Sequence, residues 1–404
     1  MKASQHGFTE AITDLLSCDG NLRRSSMTSN ISTNAPRGGR QMRLLIVGAG
    51  QRMTSVLLPA LRRAGPALQV AAICDPDPTT TARVAELAAA GHLPSVVPVF
   101  PDVDKALDAG PYEVAVLACP HDLHQELTLR LADDGIAVWK EKPYALSLEH
   151  AVQLTGRDVR VLAHRPHGQL LQIAADRLAA WGRLLSYRIR ITRPTGDYTG
   201  TWRASADRAG GGAICDLGYH AFDLISRLTG RYSVRHTADR YERHHAHPAT
   251  VYAVTAASPA HRPPVEVEES AHLTITHTDG CAGSVYLSRC EGRADEVDLV
   301  AEHGRITVSA DRALLQVTAV PGGSARCVEL TAVEDDPWAA MLRHHTRTLG
   351  DRSVTAMEAQ AGIAATALME AAFTSVRLHR PIAVACAPTS PASGASPTLE
   401  GVTS

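Results

Sequence analysis

The sequence predicts an α/β protein in two parts: an N-terminal doubly wound parallel sheet, then an α+β domain built on a large, mostly antiparallel sheet. Three observations carry this. In the first half, apolar runs of five or six residues alternate with amphipathic helical stretches, the pattern of strands covered on both faces. From about residue 183 apolar and polar residues alternate one by one between tight turns, the pattern of strands with one wetter face. The chain has 404 residues, which at roughly 150 residues per domain suggests about two domains.

In chain order, residues 1–41 mix Ser, Thr, Asn, Gly and Arg around one short amphipathic patch. They are expected to form a disordered extension, with Met42 a candidate functional start. Strands are predicted at RLLIVGAG, LQVAAICD, VVPVF, YEVAVLAC, IAVWKEKP and VRVLAHR, with helices at SVLLPALRRAG, TARVAELAAAG and LHQELTLRLADDG between them. These make a first domain over 42–165. RLLSYRIRIT, TVYAVTAAS, SAHLTITHTDGCAGSVYLSR, DEVDLVAEHGRITVS and ALLQVTAV read as strands of a second domain over 166–386. Its helices are expected at about 213–229, 336–349 and 355–378. The Pro/Ser/Gly-rich end, 387–404, reads as a disordered tail.

Composition narrows the function. Hydrophobic residues make up 45% and charged residues 20%, with a net charge of −2. Nothing favours nucleic acid or an anionic membrane as partner, and no run reaches the roughly 18 apolar residues of a membrane span. The eight cysteines include no C-x-x-C pair and read as reduced core thiols of a cytoplasmic protein. Arg23-Arg24 is followed by a polar stretch without an apolar segment, so no export is expected. Of 40 basic residues only Lys2, Lys105, Lys140 and Lys142 are lysine. Two of them stand in KEKP, where a compact ammonium rather than a guanidinium is suggested.

LLIVGAGQRM ends a strand and opens a helix. Gly48 and Gly50 occupy the first two positions of a dinucleotide fingerprint, for a tight turn and close approach of a pyrophosphate, with Gln51 and Arg52 at the helix start to receive the phosphates. Met53 stands where the third glycine would be, so helix and strand should pack less closely. Asp75 closes the second strand, where an acid accepts ribose hydroxyls; it equally suits a turn cap in DPDP. With no arginine between Asp75 and Arg83, NAD(H) is expected ahead of NADP(H), although Arg52 is a candidate for a 2′-phosphate.

The stretches ACPHDLHQELTLRLADDGIAVWKEKPYALS and WRASADRAGGGAICDLGYHAFDLISRLTG together resemble the Gfo/Idh/MocA oxidoreductase family (glucose-fructose oxidoreductase, inositol dehydrogenase, rhizopine catabolism) over about residues 42–385. The resemblance implies NAD(P)-dependent hydride transfer at a secondary alcohol or ketone, usually of a sugar or cyclitol. It places the Glu-Lys-Pro lysine on Lys142, the Asp/His pair on Asp216 and His220, and cofactor contacts on Cys119, Pro120, His121, His124 and Glu141. Cys119 and His121 replace the family's usual Thr and Asn. Histidine suits proton exchange in either direction, because its ordinary pKa lies near working pH. Residues i and i+4 share a helix face, so Asp216 and His220 can enter one pocket, and Lys142 can hold the reacting oxygen.

Asp223 is a candidate to orient His220 or to serve structure alone. In AHRPHG (His164, Arg165, His167), Arg165 and His167 are candidate substrate contacts. HHAH at 244–247 lacks companion ligands and is expected to be solvated rather than metal-binding. Homo-oligomerisation through the C-terminal sheet is expected. Two further readings remain open: reduction of a non-sugar carbonyl or imine on the same scaffold, or a silent cofactor-sensing regulator.

Overall fold

The apolar runs of the first half form a six-stranded parallel sheet. β1 (Met42–Val47), β2 (Leu68–Cys74), β3 (Val99–Phe100), β4 (Val114–Leu117), β5 (Ala137–Lys140) and β6 (Val159–Val161) lie in the order β3-β2-β1-β4-β5-β6. This is the doubly wound order of dinucleotide-binding sheets. The covering helices are α1 (Leu58–Ala64), α2 (Thr80–Ala89), α3 (Val103–Asp108), α4 (His124–Asp133) and α5 (Leu148–Gln153). Asp102 and Ser147 start α3 and α5 by accepting the amides of Lys105 and His150. The order in which strands are added switches sides between β1 and β4, which opens a crevice at the carboxyl ends of the strands.

The computed structural model describes residues 41–93, 97–196, 198–229, 247–257, 265–309, 312–317, 326–331 and 336–385. The predicted N-terminal extension before residue 41, the C-terminal tail and most of the HHAH stretch lie outside these residues.

After α6 (Gln169–Ala180), β7 (Leu184–Thr192) enters a second sheet. The short α7 (Ala206–Ala209) follows, then one π turn (Ile214–Gly218) that runs into α8 (Tyr219–Thr229). The remaining strands are β8 (Pro248–Ala256), β9 (Ser270–His277), β10 (Ala282–Ser288), β11 (Ala294–Ala301), β12 (Gly304–Val308), β13 (Arg312–Val317), β14 (Arg326–Thr331) and β15 (Ile382–Ala383). The sheet order is β14-β13-β12-β11-β7-β10-β9-β8-β15. Every neighbour is antiparallel except β7 and β10, which run parallel. Local alternation cannot reveal that pair, because it forms only when the chain returns to flank β7 with β10 and β11.

Along β7 the inward side chains Tyr187, Ile189 and Ile191 are buried, as are Val285 and Leu287 of β10 and Val297 and Leu299 of β11. They share one core with Leu45, Val47 and Leu117 of the first sheet. The last helices join both parts. α9 (Pro337–Arg347) sets Met341 and Leu342 against Ile46, Leu57 and Leu58 on the first sheet's other side, and Arg63 meets Asp336 at 2.5 Å. α10 (Arg352–Leu378) presses Gly362 onto the Tyr144 ring, where a Cβ would collide.

The thiol expectation holds in part. Cys74, Cys215 and Cys281 are buried and Cys119 is partly so, but Cys290 and Cys327 are exposed. Outside the crevice, Arg227 bonds to Asp223 at 3.0 Å and to Glu358 at 2.8 Å in a buried triad. That triad turns the Asp223 carboxylate to Arg227 and gives it a structural place.

Candidate active site

The glycine turn is built as the fingerprint requires. Gly48 has φ +96°, and a Cβ there would sit 2.8 Å from the backbone of Ala118 and Cys119, so only glycine lets β1 and β4 close on each other. A Cβ on Gly50 would meet no protein atom within 4 Å, which leaves space above the turn. Met53 is fully buried and begins a π turn, Met53–Leu57, ahead of α1. The wider turn accompanies the large side chain at the position where glycine would give close packing.

Asp75 caps the turn. Its carboxylate accepts the amide of Ala49 at 2.6 Å and that of Asp77 at 2.9 Å, so the cap reading is realised, and a carboxylate's remaining lone pairs leave ribose contact open. Arg83 folds back to bond the Ala49 carbonyl and Asp77, each at 2.9 Å. The amide and hydroxyl of Thr79, followed by Arg83, hold the Asp77 carboxyl below its usual range. Arg52 pairs with Glu141 at 3.2 Å and lies over the Trp338 ring at 5.9 Å. Gln51 is exposed beside it.

The KEKP segment sends its two lysines to different places. Lys140, the last residue of β5, is fully buried and donates to the Tyr144 carbonyl at 2.9 Å. Burial pulls its ammonium down to about 7. Lys142 lies at the crevice, 3% exposed, in a short ion pair with Asp216. Only Lys142 fits the compact-ammonium expectation.

Asp216 sits in the π turn at the start of α8, a helix irregularity frequent at functional sites. The glycines before it have separate reasons. Gly210 and Gly211 take φ +72° and +138°. A Cβ on Gly212 would run into the Glu268 carbonyl. Glu268 holds this loop by accepting the amides of Gly212 at 2.9 Å and Ile214 at 2.8 Å. Burial would raise the Asp216 carboxyl, but the charges of Lys142 and Arg289 outweigh it and hold it well below the usual carboxylate range.

A small pocket is lined by Arg52, Ala118, Cys119, His121, Glu141, Lys142, Trp202, Arg203 and Asp216. His220 is not among them. It lies one helical turn beyond Asp216, 8% exposed, edge-on to His164 at 5.8 Å, and its Nδ1 has no protein partner. Burial first, then the charges of Arg165 and Lys142, hold its imidazolium well below the ordinary histidine range. This corrects the expectation of an imidazole titrating near working pH: His220 is held neutral.

The neighbouring histidines are neutral for the same reason. His121 bonds the Ala209 carbonyl at 2.8 Å and stands 4.7 Å from the Trp202 ring; burial and Lys142 pull it down to about 3. His124 bonds the Cys119 carbonyl at 3.1 Å and so fixes the turn that contains Pro120. Burial raises the Cys119 thiol to about 12. Of the candidate substrate contacts, Arg165 is bonded through Nε to both Asp295 oxygens, at 3.1 and 2.9 Å. His167 packs beside His344 and His345, held at about 3 by burial and Arg227. Neither lines the pocket.

Sequence reasoning missed Glu268, Arg289 and Trp338, and quoted Trp202 and Arg203 only as the start of a motif, without a role. Arg289 follows β10 directly, and the only signal for it was a charge at the end of an alternating strand. Trp338 stacks on His164 at 4.4 Å from a helix more than 170 residues further along the chain.

A parallel sheet with a glycine turn at its reversal point, facing a lysine–carboxylate pair, defines a dinucleotide-binding oxidoreductase. Residues 42–157 match the oxidoreductase family with an NAD-binding Rossmann fold, and residues 177–307 match the GFO/IDH/MocA C-terminal domain. The chain belongs to the Gfo/Idh/MocA family. It is 28% identical over 279 residues, 65% of this chain and 73% of the relative, to a proposed UDP-kanosamine synthase oxidoreductase subunit of Amycolatopsis mediterranei (strain S699). The fold is shared with levoglucosan dehydrogenase in complex with NADH and levoglucosan, at TM-score 0.68 and 17% identity, over 85% of this chain and all of that one. It is shared also with the WlbA dehydrogenase of Bordetella pertussis in complex with NADH and UDP-GlcNAcA, at TM-score 0.65 and 22% identity, over 86% of this chain and all of that one. No helix among the described residues is long and apolar enough to cross a membrane.

Proposed function

We propose that this NAD-binding oxidoreductase interconverts a secondary alcohol and a ketone on a sugar, cyclitol or related polyhydroxylated substrate, with NAD(H) preferred over NADP(H). The observation that carries the reading is the Lys142–Asp216 pair at the mouth of the parallel sheet, in one pocket with Arg52 and Glu141. The nicotinamide supplies or removes hydride when bound. Gly48, Gly50, Gln51 and Arg52 would hold its pyrophosphate and Asp75 its ribose. Cys119, Pro120, His121, His124 and Glu141 would border the nicotinamide end.

Lys142, oriented by Asp216, holds the reacting oxygen and stabilises the negative charge that develops on it. His220, kept neutral one helical turn beyond Asp216, takes up the hydroxyl proton relayed from the pocket past Asp216 as the alcohol is oxidised. Self-association through the outer side of the nine-stranded sheet, where Tyr252 and Val254 are 40% and 44% exposed, belongs to the same reading and is measured by light scattering.

The test is an NADH titration by tryptophan fluorescence, followed by NAD-dependent turnover of a panel of polyols and keto-sugars by wild type and Lys142→Arg. Binding by both and turnover by wild type alone support the reading. NADH binding without turnover of any panel member by wild type overturns it in favour of a silent cofactor sensor.

A further inference from the structure

The inward face of the nine-stranded sheet ends in arginines. β7 and β10 run parallel with Thr192 beside Ser288, and β11 begins with Ala294 beside Thr192. The ladder continues one step: Arg193 donates its amide to Ser288 at 2.9 Å, and Thr195 donates to Arg289 at 3.1 Å. Side chains two apart on a strand share a face. Arg193 and Arg289 therefore extend the inward rows that contain Ile191 and Leu287 one residue past the ends of β7 and β10, and Arg293, just before β11, continues the row of Asp295 at the exposed edge.

Among the described residues, neither Arg193 nor Arg293 makes an ion pair with a carboxylate. Arg289 is 3% exposed, and its Nε and Nη1 make no hydrogen bond within the protein. Its guanidinium lies over the Tyr198 ring at 4.0 Å and reaches Asp216 only at 4.0 Å. That carboxylate already belongs to Lys142, Asp295 belongs to Arg165 and Glu141 to Arg52. Glu269, on the strand beside Arg289, accepts from the Tyr198 hydroxyl at 3.3 Å. A buried guanidinium without hydrogen-bond partners is costly to the fold alone, and a planar fork of donors matches a carboxylate or phosphate.

We propose that the substrate is an anionic sugar derivative whose carboxylate or phosphate group docks on this arginine row, with Arg289 as its direct partner and Arg193 beside it. The inference rests on the oxidoreductase reading and adds the charge of the substrate to it. It gives the two unbonded nitrogens of Arg289 a hydrogen-bond partner that the protein itself does not supply.

The test is calorimetric titration of the NADH-bound full-length protein with glucose, glucuronate, glucose 6-phosphate and UDP-glucose, at two salt concentrations. At least one anionic probe is expected to bind more tightly than glucose, with affinity that falls as salt rises. Glucuronate distinguishes a carboxylate site from the phosphate site that the other two report. Arg289→Gln should weaken the preferred probe roughly 10- to 100-fold, the range of a lost hydrogen bond to a charged group, while NADH affinity holds. Arg193→Gln gives the same reading, at smaller amplitude, should Arg289→Gln fail to fold. Glucose binding as tightly as every anionic probe, or an equal loss of glucose and anion in the variants, overturns the proposal. NAD-dependent turnover of the same four probes separates the two readings. An anion that binds through Arg289 while neither these probes nor the polyol and keto-sugar panel is turned over breaks the oxidoreductase reading and leaves the anion site standing, and turnover confined to glucose breaks this one alone.

Discussion

On the first-sheet side of the crevice, arginines come matched: Arg52 meets Glu141 at 3.2 Å and Arg83 meets Asp77 at 2.9 Å. On the second-sheet side, Arg289 lies buried with two unbonded nitrogens and only a 4.0 Å approach to Asp216, and Arg193 makes no ion pair among the described residues. The glycine turn has to hold its own shape before anything binds, so its charges are closed within the protein. The arginine row is shaped by strand register and leaves its charge to be met from outside.

The largest effects should come from His220 and Lys142. His220→Ala is expected to lose about 10²- to 10⁴-fold in kcat while NADH still binds. Because burial, Arg165 and Lys142 hold His220 below its ordinary value, only a fall in pH well below 6.5 should protonate it. Alcohol oxidation by wild type should therefore show no histidine limb between pH 6 and 8 and should decline only at more acid pH. A limb near 6.5 that disappears in the Ala variant would show that the imidazole is not held neutral. Lys142→Arg keeps the charge but displaces the oxygen it holds, and a misplacement of about 1 Å can cost on the order of 10² in rate. Wild-type turnover in that variant would remove Lys142 from the chemistry.

Asp77→Ala turns the matched wall into an unmatched one. It releases Arg83 toward the position of a 2′-phosphate, and the ratio of kcat/KM for NADPH over NADH should rise about tenfold, the equivalent of about 1.4 kcal/mol. An unchanged ratio would mean that Arg83 does not face the ribose. The smallest effect is expected from Asp295→Asn, which frees Arg165 and adds one cation behind the row. Inhibition by inorganic phosphate should strengthen by about fivefold or less, in keeping with a partly exposed pair, and a weakening would place Arg165 outside the field of the site.

How much of this was legible depended on distance along the chain. Gly48, Gly50 and Asp75 could be read because strand, turn and acid follow one another, and Lys142 and Asp216 because each sits in a dense local motif. Lys140 could not be told from Lys142, since the difference is which side of a strand end each leaves. Arg289 gained its neighbours from the register of β7 against β10, and Trp338 from a helix that returns to the first sheet. The i, i+4 spacing of Asp216 and His220 was visible, but not the cations that keep the imidazole neutral or the depth that takes it off the pocket wall. Arg165 looked available until Asp295 arrived from β11.

The parallel pair that aligns the arginines has a consequence during synthesis. β7 is complete at Thr192, but both of its sheet neighbours lie about 90 residues or more downstream. At translation rates of about 5–20 residues per second, β7 waits roughly 5–20 s with both edges open. An apolar strand in that condition invites pairing with a stranger. Arg188 and Arg190, set between Tyr187, Ile189 and Ile191 on its outward side, keep one face charged through that interval. Replacing them with uncharged residues should leave the folded protein's activity intact and lower the soluble yield from cells.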